Sequence, residues 1–518
     1  MSPSIYRADM IKILPAKKTF VENAKAGNVY ALYAELPFVP PRQAYEAVRS
    51  RYSFLLESIK GPDTISRYSF IGAEPFLLYR VKNGITELYG RKQSSTARDD
   101  GKGIPPLKRL KNLFSDYKIV QSENLPPFPG GAVGLISYDF VHYFEKLPKT
   151  ARDTLNIPDA HFMFIDTVIA VDNKLGRTFL MSCPGAREAL AGPQSSAPRW
   201  NEYYDSACEK IHALYTSLMD QSLTGEAEDV KFQTFPGSDR GPGRIRIHHE
   251  MGKETYMDIV KRAKEYIKAG DIFQANLSQR VSANIENIDP WQIYTILSRI
   301  NPAPFASYLD MGNYCIASSS PERLAKVAGN IVETRPIAGT RPRGRDAEDD
   351  KVMTADLLLN EKERAEHLML IDLERNDLGK ISDYSTVEVD EMMITEEYSH
   401  VIHIVSNIRG TIANGRDCFD AIRATFPGGT ITGVPKVRCM EIIDELEPVV
   451  RGPYTGSIGY IGFTGNMDLN IVIRSFVIKD KFAYVQAGAG IVADSDPERE
   501  YYETLKKAEA LIKTLEML

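Results

Sequence analysis

Glu363 and Glu366 lie three residues apart in NEKERAEHLMLIDLERNDLGK (360–380), and Glu500 and Glu503 repeat that spacing in DSDPEREYYETLKKAEALIKTLEML (494–518). Residues three apart on a helix share a face. Four carboxylates from two helices could bind a hard cation such as Mg²⁺, directly and through water. The same pairs also suit plain solvated faces, and acids in a first turn favour the helix dipole. A second stretch with chemical potential is TRPIAGTRPRG (334–344), which sets Arg335, Arg341 and Arg343 around a Pro-Ile-Ala-Gly-Thr turn. The arginines point to an anion nearby. Ala338 stands where a reactive side chain would be well placed, and it carries none.

Two glycine-rich loops suit carboxylates. FPGGTITGVPKVRCMEIIDELEP (426–448) runs through Gly428, Gly429 and Gly433 into a helix. Thr432 or Gly433 can cap that helix, with Pro435 at its first position. Amides there, with Lys436, would make an anion site. Val434 and Pro435 replace the Lys-Ser/Thr that a P-loop requires. YVQAGAGIVADS (484–495) is a strand whose Gly488 and Gly490 allow close backbone approach to a ligand. GNMDLNIVIRSF (465–476) reads as an apolar strand carrying Arg474, which wants either a ligand carboxylate or a structural salt bridge. In EEYSHVIHIVSNIRG, strand alternation sends His400 and His403 to opposite faces, so at most one of them faces a given site.

The elements that position these residues are legible in part. KETYMDIVKRAKEYIKAGDIF has helical periodicity and stops at Gly270. The C-terminal helix has Ser495 or Asp496 as cap, Pro497 in the first turn, and an apolar stripe of Tyr501, Leu505, Ala508, Ile512 and Leu515. Strand-like runs before residue 185 include YALYAEL, YSFIG, PFLLYRV and HFMFIDTVIAV, and PPFPGGAVGLISYDF enters a buried strand. Three regions follow: 1–185, a turn-rich connecting region 186–252, and 253–518, where helices and strands alternate. The paired His248 and His249 diverge on a strand and read as a solvated pair.

Composition narrows the function. A net charge of −6 over 518 residues argues against a general nucleic-acid binder. Five cysteines without C-x-x-C spacing suit reduced thiols in a cytosol. No signal peptide or apolar span is evident, so a cytoplasmic protein without membrane partners is expected.

Together these segments resemble the chorismate-binding family, which includes component I of anthranilate synthase, component I of aminodeoxychorismate synthase, and isochorismate synthases. The carriers are GDIFQANLSQR, SSSPERL, RPIAGTRPRG, AEHLMLIDLERNDLGK, FPGGTITGVPK, GNMDLNIVIR and QAGAGIVADS, in order. SFLLESIKGPDTISRYSFIG and GGAVGLISYDF resemble the family's N-terminal part. The resemblance implies an α/β (α+β) fold, a sandwich of large, mainly antiparallel sheets with helices outside. It implies Mg²⁺, with Glu366 and Glu503 as direct ligands and Glu363 and Glu500 acting through water. It places Arg474, Tyr460 and the Gly488–Ala489–Gly490 backbone at the enolpyruvyl carboxylate, and Thr340 near the ring. Glu322 matches a general acid, His403 a group near the C4 hydroxyl, and Lys436 a closing loop. Leu56, Glu57 and Ser58 resemble a tryptophan-binding element, although NPAPFASYL (301–309) departs from the pattern tied to tryptophan inhibition.

The resemblance leaves two products open. Many aminodeoxychorismate synthases carry a lysine nucleophile where Ala338 stands, whereas anthranilate synthases have alanine. QAGAGIVADS also resembles the anthranilate synthases. Against that, Gln274 and Asn276 in FQANLSQR, with FPGGTITG, resemble the aminodeoxychorismate form, and YTGSIGY and NPAPFASYL depart from the anthranilate synthase pattern. The balance favours aminodeoxychorismate. With no Gly-x-Cys-x-Gly elbow, ammonia is expected from a separate glutamine amidotransferase subunit. An isochorismate synthase would carry a lysine base near Gln274. A non-catalytic tryptophan- or chorismate-binding regulator would not need Glu322, Glu366, Arg474 and Glu503 intact.

Overall fold

The computed structural model describes residues 11–61, 65–90, 93–98, 103–191, 197–224, 245–343, 346–397 and 401–518. Among these, two twelve-stranded sheets face each other, and every strand pair within them is antiparallel. The apolar cluster between them draws on both, with Phe54, Ile71, Leu309 and Phe476 from one sheet and Val133, Phe162, Ile461 and Leu469 from the other. Helices lie outside. This is the sandwich that the family resemblance implies.

Each sheet joins early and late parts of the chain. In the first, Ser53–Glu57 pairs with Phe305–Asp310, and in the second, Gly131–Ile136 pairs with Ser457–Gly462. Strands Gly131–Ile136 and Ala160–Ile165 are buried at every position, as their unbroken apolar sequence expects for strands covered on both faces. HFMFIDTVIAV is two strands, Ala160–Ile165 in the second sheet and Thr167–Asp172 in the first. The chain crosses between sheets at Asp166, a buried carboxylate held by Arg187 and Lys210, each at 2.6 Å. Both acid-bearing helices start at a capping side chain. Asn360 accepts from the Glu363 amide at 3.1 Å to start Glu361–Gly379, and Asp496 accepts from Arg499 at 2.9 Å to start Pro497–Glu516. Lys253–Ala269 ends at Gly270 in the left-handed region, φ 84°. His248 and His249 are both exposed. The five cysteines are free thiols, and no helix among the described residues is long and apolar enough to cross a membrane.

Candidate active site

A cavity of about 320 Å³ is lined by residues of both sheets and of the C-terminal helix. One wall comes from Gln274–Asn284 and Phe482–Ile491, which present Asn276, Gln486 and Gly488. Another wall is the strand Ile337–Pro342, with Ala338 and Gly339, and His403 on the neighbouring strand; the stretch expected as a turn is an irregular strand whose register shifts between Ala338 and Thr340. Glu322, Thr430, Tyr454 and Arg474 close it from loops, and Lys507 from the C-terminal helix.

Gly488 is required here. A Cβ at this position would meet the Asn276 carboxamide and, at 2.8 Å, the Tyr454 hydroxyl, so only glycine lets both side chains reach the wall. Asn276 Oδ1 is buried with no hydrogen-bond partner. Its backbone carbonyl is held by Arg451 Nη2 at 2.6 Å. Arg451 pairs with Glu447 at 2.7 Å, both fully buried, and Glu447 accepts from the Ser278 amide at 2.8 Å. Gln486 donates to the Ser278 hydroxyl at 2.8 Å. A buried ion pair thus fixes the strand that carries Asn276. Replacing Arg451 by Met strands the Glu447 carboxylate, so an unfolding titration should show a loss of about 3–5 kcal/mol. A loss under about 1 kcal/mol, the size of an exposed pair, would remove this role.

Arg474 was expected within a strand. It lies instead in the crossover between Met467–Asn470 of the second sheet and Ser475–Lys479 of the first, at φ 54°. That left-handed backbone costs a non-glycine residue about 1–2 kcal/mol. Nη1 donates to the Lys507 carbonyl, and among the described residues Arg474 has no carboxylate partner. Burial holds its pKa below the usual guanidinium value. A half-buried cation with no carboxylate partner among the described residues, on a cavity wall, suits an anionic ligand.

Glu322 sits opposite. Burial pushes its pKa up to about 7, against partial relief from Thr430 and the Ile337 amide, and its Oε1 has no hydrogen-bond partner. It therefore gives up and takes back a proton near neutrality, as a general acid or base must. His403 is pushed down to about 4, by burial first and then by the Arg474 charge. Its Nδ1 lies 3.3 Å from the Gly339 carbonyl, which can only accept. Nδ1 therefore carries the hydrogen, and Nε2 is the acceptor of a neutral ring.

The remaining expected residues are dispersed. Gln274 does not line the cavity; its side chain lies over Gly490, where a Cβ would collide with it. Ala489 points to the other face of its strand, into the cluster with Tyr256 and Cys439. The backbone of Thr340 pairs with His403. His400 lies outside the described residues. Two expectations need correction. Tyr460 lies away from this cavity, its ring packed on Phe70 and Phe128 between the sheets. Lys436 offers no anion site, because Asp377 neutralises it at 2.5 Å. Its helix also starts without a side-chain cap, since Pro435 itself occupies the cap position. Tyr454, Gln486, Thr430 and Lys507 were not anticipated. Lys507 had a signal: it follows Glu503 by one helical turn and pairs with it at 2.8 Å.

The acidic pairs border the cavity without gathering. Glu363 lies behind Gly339 and holds Arg341 at 3.1 Å, and Glu503 holds Lys507. Glu366 and Glu500 are half-buried on the same two helices. Among the described residues no three acids, histidines or cysteines meet as a metal cluster. The donor chemistry, four carboxylates on two helices beside an anion pocket, suits a hard cation.

A second cavity, about 410 Å³, lies at the seam between early and late strands. Leu56, Glu57, Ser58 and Tyr460 line it, with Ser307, which is paired to Leu56. Glu57 already accepts from Tyr294 at 2.6 Å and from Arg42 at 3.1 Å.

Residues 74–513 match the family of chorismate binding enzymes. Anthranilate synthase component 1 of Acetivibrio thermocellus is 42% identical over 470 residues, 89% of this chain and 90% of its own length. Aminodeoxychorismate synthase component 1 of Bacillus subtilis is 38% identical over 467 residues, 90% of this chain and 92% of its own. The crystal structure of anthranilate synthase component I from Streptococcus pneumoniae superposes with a TM-score of 0.71 at 33% identity, covering 92% of this chain and 97% of that one. The sandwich, the cavity that sets Arg474 with a buried glutamate, and these likenesses agree: the chain belongs to the chorismate-binding enzyme family.

Proposed function

We propose that this chain aminates chorismate with ammonia from a glutamine amidotransferase subunit, forming 4-amino-4-deoxychorismate. The observation that carries the amination is one cavity wall shared by Arg474, a half-buried cation without a carboxylate partner among the described residues, and the buried Glu322, whose pKa burial raises to about 7. Chorismate is a dicarboxylate with an allylic alcohol. Arg474 and Lys507 receive a carboxylate. As the C4–O bond breaks, Glu322 gives its proton to the departing oxygen, which leaves as water. The ammonia lone pair forms the new C–N bond, and the extra proton on nitrogen passes to solvent or to a second ammonia, while the neutral His403 ring offers a hydrogen bond beside the ring of the substrate. Asn276, with its unpartnered oxygen, orients the incoming ammonia.

Glu363, Glu366, Glu500 and Glu503 would hold Mg²⁺, with Glu363 and Glu503 exchanging Arg341 and Lys507 for the ion. When bound, it supplies positive charge for the second carboxylate. Tryptophan is the proposed occupant of the seam cavity.

The anthranilate product is the second reading. Ala338 favours it, since the cavity wall there has no nucleophile, and so do the names of relatives such as that of A. thermocellus. One experiment separates the two: the purified chain with chorismate, Mg²⁺ and ammonium at alkaline pH, products resolved by chromatography. The expected product yields p-aminobenzoate only after a lyase is added. Direct release of fluorescent anthranilate overturns the aminodeoxychorismate reading. In the same assay, activity should vanish with a chelator and return with Mg²⁺; activity that persists removes the metal proposal. Added tryptophan tests the seam cavity, with bound tryptophan read by equilibrium dialysis.

A further inference from the structure

Helix Glu361–Gly379 turns one stripe of residues to the second sheet. Glu363, His367, Ile371, Glu374 and Leu378 are three or four apart and share a face. Glu363 meets the sheet at Gly339, and His367 meets it at Ser406. His367 is wholly buried. Its Nε2 lies 2.7 Å from the Ser406 hydroxyl oxygen, and its Nδ1 is buried with no hydrogen-bond partner. Leaving that nitrogen unpaired costs stability that an apolar side chain would not. The proposed amination gives His367 no part.

Ser406 is a junction. It lies on Val401–Thr411, where alternation sends His403 to the cavity and Ser406 to the other face, toward the helix. On the adjoining strand Glu388–Glu397 the register slips between Glu391, opposite Asn407, and Ile394, opposite Val405. Met392 and Met393 therefore stand against the single Ser406, as in a β-bulge. Met393 sits at φ 53°, and its amide donates to the Ser406 hydroxyl oxygen at 2.9 Å. The Ser406 amide donates to the Pro336 carbonyl at 3.3 Å, directly before the strand that brings Ala338 and Gly339 to the cavity. The His367 hydrogen bond thus joins the acid-bearing helix to the strands that build one cavity wall.

Ile371 and Leu378 also hold the helix down, but apolar contact has no preferred direction. A hydrogen bond does. Glu366 immediately precedes His367 and Glu363 lies one turn before it, so a rotation or slide of the helix moves both carboxylates together.

We propose that His367 is a positioning residue for the metal: through Ser406 it fixes the rotation of Glu361–Gly379, so that Glu363 and Glu366 present their carboxylates to Mg²⁺ beside the cavity. The proposal rests on the metal reading above. Groups that orient metal ligands from behind are typically worth about 10–100-fold in metal affinity.

The test is Mn²⁺ binding to the purified full chain without substrate, read from the free-ion signal in electron paramagnetic resonance, with Mg²⁺ as competitor. Mn²⁺ accepts the same oxygen ligands. His367→Leu should weaken Mn²⁺ binding about tenfold or more, and Ser406→Ala should do the same. The amide of His367→Gln reaches the place of Nε2 with a donor or an acceptor, so its affinity should stay close to wild type. His367→Asn reaches only the place of Nδ1 and should behave as the leucine variant does. Equal Mn²⁺ affinity in every variant, whatever their melting temperatures, would leave His367 a packing role and overturn the proposal while the metal reading survives. If His367→Leu does not fold, the glutamine and asparagine variants decide: tighter binding with glutamine supports the proposal, and equal binding overturns it. A wild-type chain whose Mn²⁺ is not displaced by Mg²⁺, or that binds none, overturns the metal reading and the proposal with it.

Discussion

Glu322→Gln lowers kcat for ammonia-dependent chorismate consumption by about 10²–10⁴-fold, the usual worth of a positioned general acid. KM changes little. The amide keeps the shape and can still donate a hydrogen bond, but it cannot surrender a proton to the departing hydroxyl. The same substitution stabilises the protein. Glu322 has its folded pKa raised from 4.5 to about 7. A raised acid favours the folded state in acid and opposes it as pH climbs above the unfolded value, with the full penalty present above the folded one. The difference is 2.5 pH units, on the order of 3 kcal/mol above about pH 7. Glu322→Gln should therefore melt higher than wild type at pH 8 and not at pH 4. Calorimetry at the two pH values checks this. Equal melting shifts would mean that Glu322 is not held protonated, and retained activity would mean that the acid is another group.

Arg474→Ala should reduce kcat/KM for chorismate by on the order of 10²–10³-fold, as expected when one member of a buried, hydrogen-bonded charge pair is removed. Most of the loss falls in KM, because the guanidinium holds a carboxylate that is present before and during reaction. The free protein should not suffer equally. Arg474 is a half-buried cation with no carboxylate partner among the described residues, and its backbone sits at φ 54°. Arg474→Gly removes both costs, so its melting temperature should match or exceed that of Arg474→Ala. Unchanged KM in both variants would remove Arg474 from the carboxylate site and return it to a structural role.

Much of this site was readable from the chain. The C-terminal helix was legible because its cap, Asp496, and its apolar spacing are local signals; the cap of the other acid-bearing helix, Asn360, was not read from the sequence. Glu322, Asn276, Ala338, His403, Arg474 and Gly488 do meet at one cavity. The failures share one cause: they depend on partners far away in sequence. Tyr460 is six residues from Tyr454 on the same segment, and only the sheet pairing decides which ring enters the cavity. Lys436 looked like an anion ligand because Asp377, 59 residues earlier, was not visible as its partner.

Family, element type and the identity of most groups at the site are readable from the residues alone, because motifs, caps and periodicity act over short stretches of chain. The tertiary structure decided what those groups can do. Glu322 is an ordinary glutamate until burial raises its pKa. Arg474 is one arginine among many until a crossover between sheets sets it on a cavity wall with no carboxylate partner among the described residues. Burial and the distance between charges set proton affinity and ligand sign, and neither exists before two distant stretches of chain are packed together.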